Sequence, residues 1–144
     1  MECKINETLA YIIFLSRHIS PDDLPHAIAI VLTDLNFESH LEGFEYLKDA
    51  IYIKCCCMKL RLNSIFLQII QDNHQQVDSR QLEQTIRHAI KKAWILRDEA
   101  SWSILIPQHQ WKDRQPSNNV FISRIAFLMD LWLHCNKEPV EDIS

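Results

Sequence analysis

Ser79-Arg80-Gln81-Leu82-Glu83-Gln84-Thr85-Ile86-Arg87-His88-Ala89-Ile90-Lys91-Lys92-Ala93-Trp94 is the stretch on which the fold turns. Placed at about 100° per residue, Leu82, Ile86, Ala89 and Ala93 fall on one side, with Ile90 flanking them. Arg80, Gln84, Arg87 and Lys91 fall on the opposite side, with Glu83 and His88 at its edges. Asp78 stands where an N-cap is needed and Gln81 follows three residues later, the arrangement of a capping box. The pattern predicts a helix from about Ser79 to Arg97 that has an apolar inner face and a basic outer stripe.

The rest of the chain reads as helices around this one. Asn6 to His18 carries Leu9, Ile12, Ile13 and Ser16 at helical spacing, with Asn6 as its cap. Ser20-Pro21-Asp22-Asp23 reads as a stop and a new start, with proline at the first helical position and acids in the first turn. The helix that follows presents Ile28, Val31, Leu32 and Leu35 and ends near Phe37. Gly43 marks a short turn before a third helix, whose stripe is Phe44, Leu47, Ile51, Cys55 and Met58. An apolar stretch from Ile65 to Ile70 is closed by polar residues from Gln71 to Gln76. A short helix spans Ala100 to Ile106, and Pro107 to Asn119 is a polar loop. Asn119 to His134 is a last helix with Phe121, Ile122, Ile125, Leu128, Met129 and Trp132 inward.

Composition narrows the function. The chain has 144 residues, 47% of them hydrophobic and 24% charged, which suits one globular domain. It has one glycine, where average usage predicts about ten. Phosphate-binding glycine loops, dinucleotide fingerprints and nucleophile elbows are therefore excluded, and so is a sheet built on Asn-Gly hairpins. The longest early apolar run, Leu9 to Leu15, is far short of the ~20 residues a membrane-spanning helix needs. With no basic leader and no small-residue cleavage site, the expectation is a cytoplasmic protein with no membrane partner. Cys3, Cys55, Cys56, Cys57 and Cys135 are an odd set with three in a row, so they read as reduced thiols, some packed in the core. Adjacent helical positions diverge too far to hold one metal. Among seven histidines no pair has metalloenzyme spacing, so the sequence predicts no enzyme, no small-molecule substrate and no cofactor.

Net charge is −4, which at first counts against a polyanionic partner. It is unevenly distributed. Residues 1–58 hold 4 basic and 9 acidic side chains, residues 59–124 hold 10 and 6, and residues 125–144 hold 1 and 4. The middle third is the positive one, at +4, and contains the striped helix and the loop after it. A local patch of this kind is what phosphate recognition needs, although a basic helix face is also what ordinary solvation produces.

Three blocks carry a resemblance: Leu41 to Ile51, Ser79 to Trp94, and Gln115-Pro116-Ser117-Asn118-Asn119-Val120-Phe121-Ile122. In content, order and separation they resemble the C-terminal effector domain of the stage-zero sporulation response regulator, a transcription factor of endospore-forming Firmicutes. The resemblance covers about residues 22–134. It leaves residues 1–21 as an extra N-terminal helix and residues 135–144 as an acidic tail. It implies an all-α fold of about six to seven helices containing a helix-turn-helix. The recognition helix would lie at about 79–94, with Ser64 to Asn73 as its supporting helix.

The resemblance also implies the function, a sequence-specific regulator that inserts the 79–94 helix into the major groove of double-stranded DNA. Arg80, Arg87 and Lys91 would neutralise phosphates or reach guanine acceptors, and Glu83 would accept from a cytosine amino group. Ser79 at the helix start would favour a phosphate, and His88 at the stripe edge would contact DNA or make a structural hydrogen bond. Lys112, Arg114, Ser117 and Asn118 would hold the backbone from the loop. Two departures stand out. The family has arginine immediately after the recognition-helix glutamate, where this chain has Gln84. The 21 residues before the domain are also too few for the receiver fold of the family. The first helix is then either a dimerisation or docking helix or one that closes the core, and a homodimer or tandem binding on DNA is the expected arrangement. The acidic flanks and Gln84 also fit an alternative, an interaction module that kept the fold and lost DNA binding.

Overall fold

A computed structural model of the protein describes residues 2–73, 77–106 and 114–137, with side chains from 7 to 72, 77 to 106 and 114 to 135. Among these residues there are seven helices and no strand: α1 (Glu2–His18), α2 (Leu24–Asp34), α3 (Glu42–Cys56), α4 (Leu62–Asn73), α5 (Ser79–Ile95), α6 (Glu99–Leu105) and α7 (Asn118–Lys137). The fold is all-α. The central pair is α3 against α7; α1 covers α7 and α6 on one side, and α4 and α5 pack on α3 and on each other. Trp102, Trp132 and Phe121 are the largest fully enclosed side chains, and the Trp102 indole N–H donates to the Leu35 carbonyl at 3.2 Å.

Several helix ends differ from the sequence reading, each for a local reason. α1 begins before Asn6, which is therefore not a cap. Its inward residues are Ile12 and Leu15, followed by the buried Ile19 just past its end, whereas Leu9 and Ile13 are 45% and 44% exposed. α2 is capped by Asp23, whose carboxylate accepts the His26 N–H, and the proline of its first turn is Pro25, so Pro21 and Asp22 lie outside it. Met58 lies beyond α3 and is exposed. α7 continues past His134 to Lys137, and residues 138–144 of the expected acidic tail lie outside the described residues, as do Lys112 and most of the 107–119 loop.

The glycine shortage is visible at the end of α2. Asn36 takes the left-handed conformation (φ 74°) that glycine usually supplies after a helix. Its N–H donates to the Thr33 carbonyl and that of Phe37 to the Leu32 carbonyl, both at 3.0 Å, which completes a Schellman turn.

The single glycine is used elsewhere. Gly43 is not a turn residue; it lies in the first turn of α3, buried where that helix crosses α5. A Cβ there would stand 2.7 Å from the Ala89 Cβ and 2.9 Å from the Thr85 carbonyl oxygen. The crossing therefore requires an absent side chain on α3 and a methyl group on α5.

The cysteines divide by environment. Cys55 is half-buried, with its thiol 3.8 Å from the Ala126 carbonyl, while Cys56, Cys57 and Cys135 are exposed. Burial, with smaller contributions from Cys56 and Asp130, pushes the Cys55 thiol up to about 12. At pH 8 its thiolate is then about one part in ten thousand. Iodoacetamide at pH 8 is expected to alkylate Cys56, Cys57 and Cys135 on the native protein and to spare Cys55 until the fold is denatured. Peptide mapping that finds Cys55 labelled at the rate of its neighbours contradicts this.

Candidate nucleic-acid interface

The exposed face of α5 is set by its buried one. Leu82, Ile86, Ala89, Ile90 and Ala93 pack into the core, and the helical period then turns Arg80, Glu83, Gln84, Arg87, His88 and Lys91 outward, where all six are exposed. Both halves of the capping box form. The Asp78 carboxylate accepts the Gln81 N–H at 2.8 Å, and the Gln81 side-chain oxygen accepts the Asp78 N–H at 3.1 Å. Ser79, half-buried, is the first helical residue.

The cations of this helix have different surroundings. Lys92 is paired with Glu38 at 3.5 Å. Beyond the helix end, Arg97 is paired with Glu99 at 3.0 Å and lies over the Trp94 ring at 4.4 Å. Trp94 itself is half-buried against the core. Arg80, Arg87 and Lys91 have no ion pair among the described residues. Neutralisation inside the protein is thus confined to one edge and the end of the helix, and the middle of the outer stripe keeps its positive charge.

The segment before α7 is fastened to this helix. The Gln115 side-chain N–H donates to the Arg87 carbonyl at 3.3 Å, and the Asn118 side-chain N–H donates to the Glu83 carbonyl at 3.0 Å. These carbonyls are one turn apart, so the segment runs along the edge of α5. Arg114 and Ser117 remain exposed beside it. Ser117 caps α7, its hydroxyl oxygen accepting the Val120 N–H at 3.2 Å.

Asn118 departs from the role the sequence suggested. It is 7% exposed and directed into the fold, so it positions the segment instead of offering its amide to a backbone phosphate. Its Oδ1 is enclosed without a hydrogen-bond partner. Sequence reasoning missed Gln115 as a positioning residue. A loop amide that bonds to a backbone carbonyl 28 residues earlier leaves no periodic or spacing signal.

Among the described residues no group of three or more histidine, cysteine or acidic side chains is placed to hold a metal ion, and no helix is long and apolar enough to cross a membrane. No curated protein and no solved structure matches the chain. The family model described as the C-terminal domain of sporulation initiation factor Spo0A matches residues 28–129, which takes in α2 from Ile28 onward, all of α3 to α6, and α7 as far as Met129. The cationic face of α5 and the segment fastened to it both fall inside that match, and the chain belongs to the family of the Spo0A C-terminal domain, a family of DNA-binding effector domains of sporulation regulators.

Proposed function

We propose that the protein is a sequence-specific DNA-binding transcription regulator in which α4 and α5 act as a helix-turn-helix. In this reading α5 enters the major groove. The observation that carries it is the outer face of α5, where Arg80, Arg87 and Lys91 lack ion-pair partners among the described residues and stand opposite a fully buried stripe. Such a helix can pack and insert at once.

Arg87 and Lys91 lie one turn apart, and Glu83 and Gln84 lie nearer the helix start, the end that usually reaches base edges. Ser79 and Arg80 are placed for a phosphate at the helix N-terminus. Arg114 and Ser117 sit where the neighbouring strand of the duplex would run, with Gln115 and Asn118 holding them there. His88, exposed at the edge of the stripe, is a further contact. Two molecules side by side on tandem half-sites would extend the interface, as the geometry of helix-turn-helix proteins favours.

Selection of bound duplexes from a random pool tests the reading, followed by titration of the selected duplex at several salt concentrations. The expected result is an enriched motif and a logarithmic loss of affinity with salt, about 0.9 per phosphate contacted. Arg87→Ala is expected to weaken binding by about 1–3 kcal/mol at the base it contacts. No enrichment, together with no salt-sensitive binding to pooled duplex, overturns the proposal in favour of the interaction module.

The same selection reads the position opposite Gln84. Glutamine suits adenine where arginine pairs with guanine, so the motif is expected to differ at one base, by about 1–3 kcal/mol of discrimination. Gln84→Arg is expected to move the preference back toward guanine. An unchanged preference at that base counts against a contact from residue 84.

A further inference from the structure

A second group of cations without ion-pair partners lies away from α5. The end of α3, the loop after it and the first turn of α4 enclose an open cleft of about 380 Å³. Lys54, Lys59 and Arg61 line it together with Asn63 and Asn119, and its lining includes no carboxylate. Local structure holds the charges there. The Lys54 ammonium donates to the Leu60 carbonyl at 2.8 Å and so draws the loop back over the end of α3. The Leu60 N–H donates to the Cys57 carbonyl at 3.1 Å, which closes the turn that carries Lys59. Arg61 directly precedes α4, and its carbonyl accepts the Ile65 N–H. None of the three has an ion pair among the described residues.

Lys54 is offset by the carbonyl end of α3, but Lys59 and Arg61 add like charges beside the start of α4, whose partial charge is also positive. An anion in the cleft would offset these charges.

The cleft also adjoins the α5 interface. Asn119, on its wall, follows Asn118, whose amide is bonded to the Glu83 carbonyl of α5. Consecutive Cα atoms are about 3.8 Å apart, so the first turn of α7 has the α5 edge on one side and the cleft on the other. We propose that the cleft binds a phosphate of the DNA backbone, flanking the groove that α5 occupies. Lys59 and Arg61 would act as the neutralising groups, with Asn63 and Asn119 as hydrogen-bond donors. This site rests on the DNA-binding reading above and lengthens its footprint.

The test compares the wild-type protein, Lys59→Gln/Arg61→Gln and Arg87→Ala on the duplex of highest affinity from the random-pool selection. Lys59 and Arg61 are both exposed, so the double variant is expected to melt with the wild type. The slope of log affinity against log salt should become shallower by roughly 1 for each cation removed. Base preferences should stay unchanged, and phosphate-ethylation interference should lose one or two positions at the flank of the site.

Wild-type slope and wild-type interference in the double variant, alongside weakened binding by Arg87→Ala, overturn the cleft site and leave the α5 reading standing. If none of the three proteins, the wild type included, binds DNA in a salt-sensitive way, both fall together.

Discussion

Deleting residues 1–19 is expected to abolish the cooperative fold. The deletion removes α1, which lies outside the family match, yet its inner side chains belong to the shared core. Ile12 and Leu15, on the helix that packs against α6 and α7, are 0% and 1% exposed, and Ile19, which follows it, is 8% exposed. Burying an aliphatic side chain contributes roughly 1.5–3 kcal/mol, so the three together contribute about 5–9 kcal/mol. Two long-range hydrogen bonds go with them, from the Thr8 hydroxyl to the Ile104 carbonyl at 2.7 Å and from the Tyr11 hydroxyl to the Asp34 carboxylate at 2.6 Å. That loss is comparable to the whole stability of a typical domain, about 5–15 kcal/mol.

Far-UV circular dichroism should show the truncated chain melting without a sharp transition or at least about 15 °C lower. Leu15→Ala, a graded version, should cost about 2–5 kcal/mol. A truncated chain that melts within a few degrees of the full one would mean that α1 docks on a core already complete. Of the two roles the sequence left open for the first helix, the burial of these three residues favours closure of the core.

How much of the molecule could be read in advance depended on whether local pattern or distant packing decides the residue. The start and both faces of α5 were legible, because its apolar and charged residues separate cleanly by angle and its cap is a local hydrogen-bond motif, whereas the helix ends at Ile95, short of the expected Arg97. The charge excess of residues 59–124 was equally visible, although the cleft at Lys54, Lys59 and Arg61 needed the third dimension. Lys54 lies in the acidic third, and Asn119 is distant in sequence.

α1 shows the opposite case. Leu9, Ile12, Ile13, Phe14 and Leu15 put apolar side chains on most sides of the helix, so periodicity cannot choose the face. The choice is made by α6 and α7, and it favours Ile12 and Leu15 over Leu9 and Ile13. At the start of α2 two prolines and two aspartates offered several registers, and the carboxylate that reaches a first-turn N–H, that of Asp23, settled it. At the site, the residues expected from α5 beyond the half-buried Ser79 are exposed as a set because one helix presents them. Asn118 differs because its direction is decided by a carbonyl on another helix.

Gly43→Ala is expected to destabilise the protein by about 1–2 kcal/mol, against the helix propensity of the two residues. Alanine inside a helix normally gains about 0.5–1 kcal/mol over glycine. Here the added methyl carbon would meet the Ala89 Cβ at 2.7 Å and the Thr85 carbonyl oxygen at 2.9 Å, both closer than ordinary van der Waals contact. The second obstacle is backbone in the middle of α5, so no rotamer change removes it. The helices must separate, and inserting a methyl group into a packed core typically costs about 1–3 kcal/mol.

The displacement bears directly on function. Thr85 and Ala89 interleave with Glu83, Gln84, Arg87 and His88, so moving α5 off α3 moves the exposed stripe relative to the segment fixed by Gln115 and Asn118. In the DNA-binding reading, Gly43→Ala should therefore weaken binding even at temperatures where it is fully folded. Chemical denaturation and a binding titration at a low temperature separate the two effects.

Adding Ala89→Gly provides the control. It removes the 2.7 Å contact, leaves the 2.9 Å one, and introduces its own helix cost of about 1 kcal/mol. The double variant should then sit well above the sum of the two single losses without returning to wild type. If Gly43→Ala proves as stable as the parent, α3 and α5 can part without cost. The chain's single glycine would then be no requirement of the crossing that holds α5 against the core.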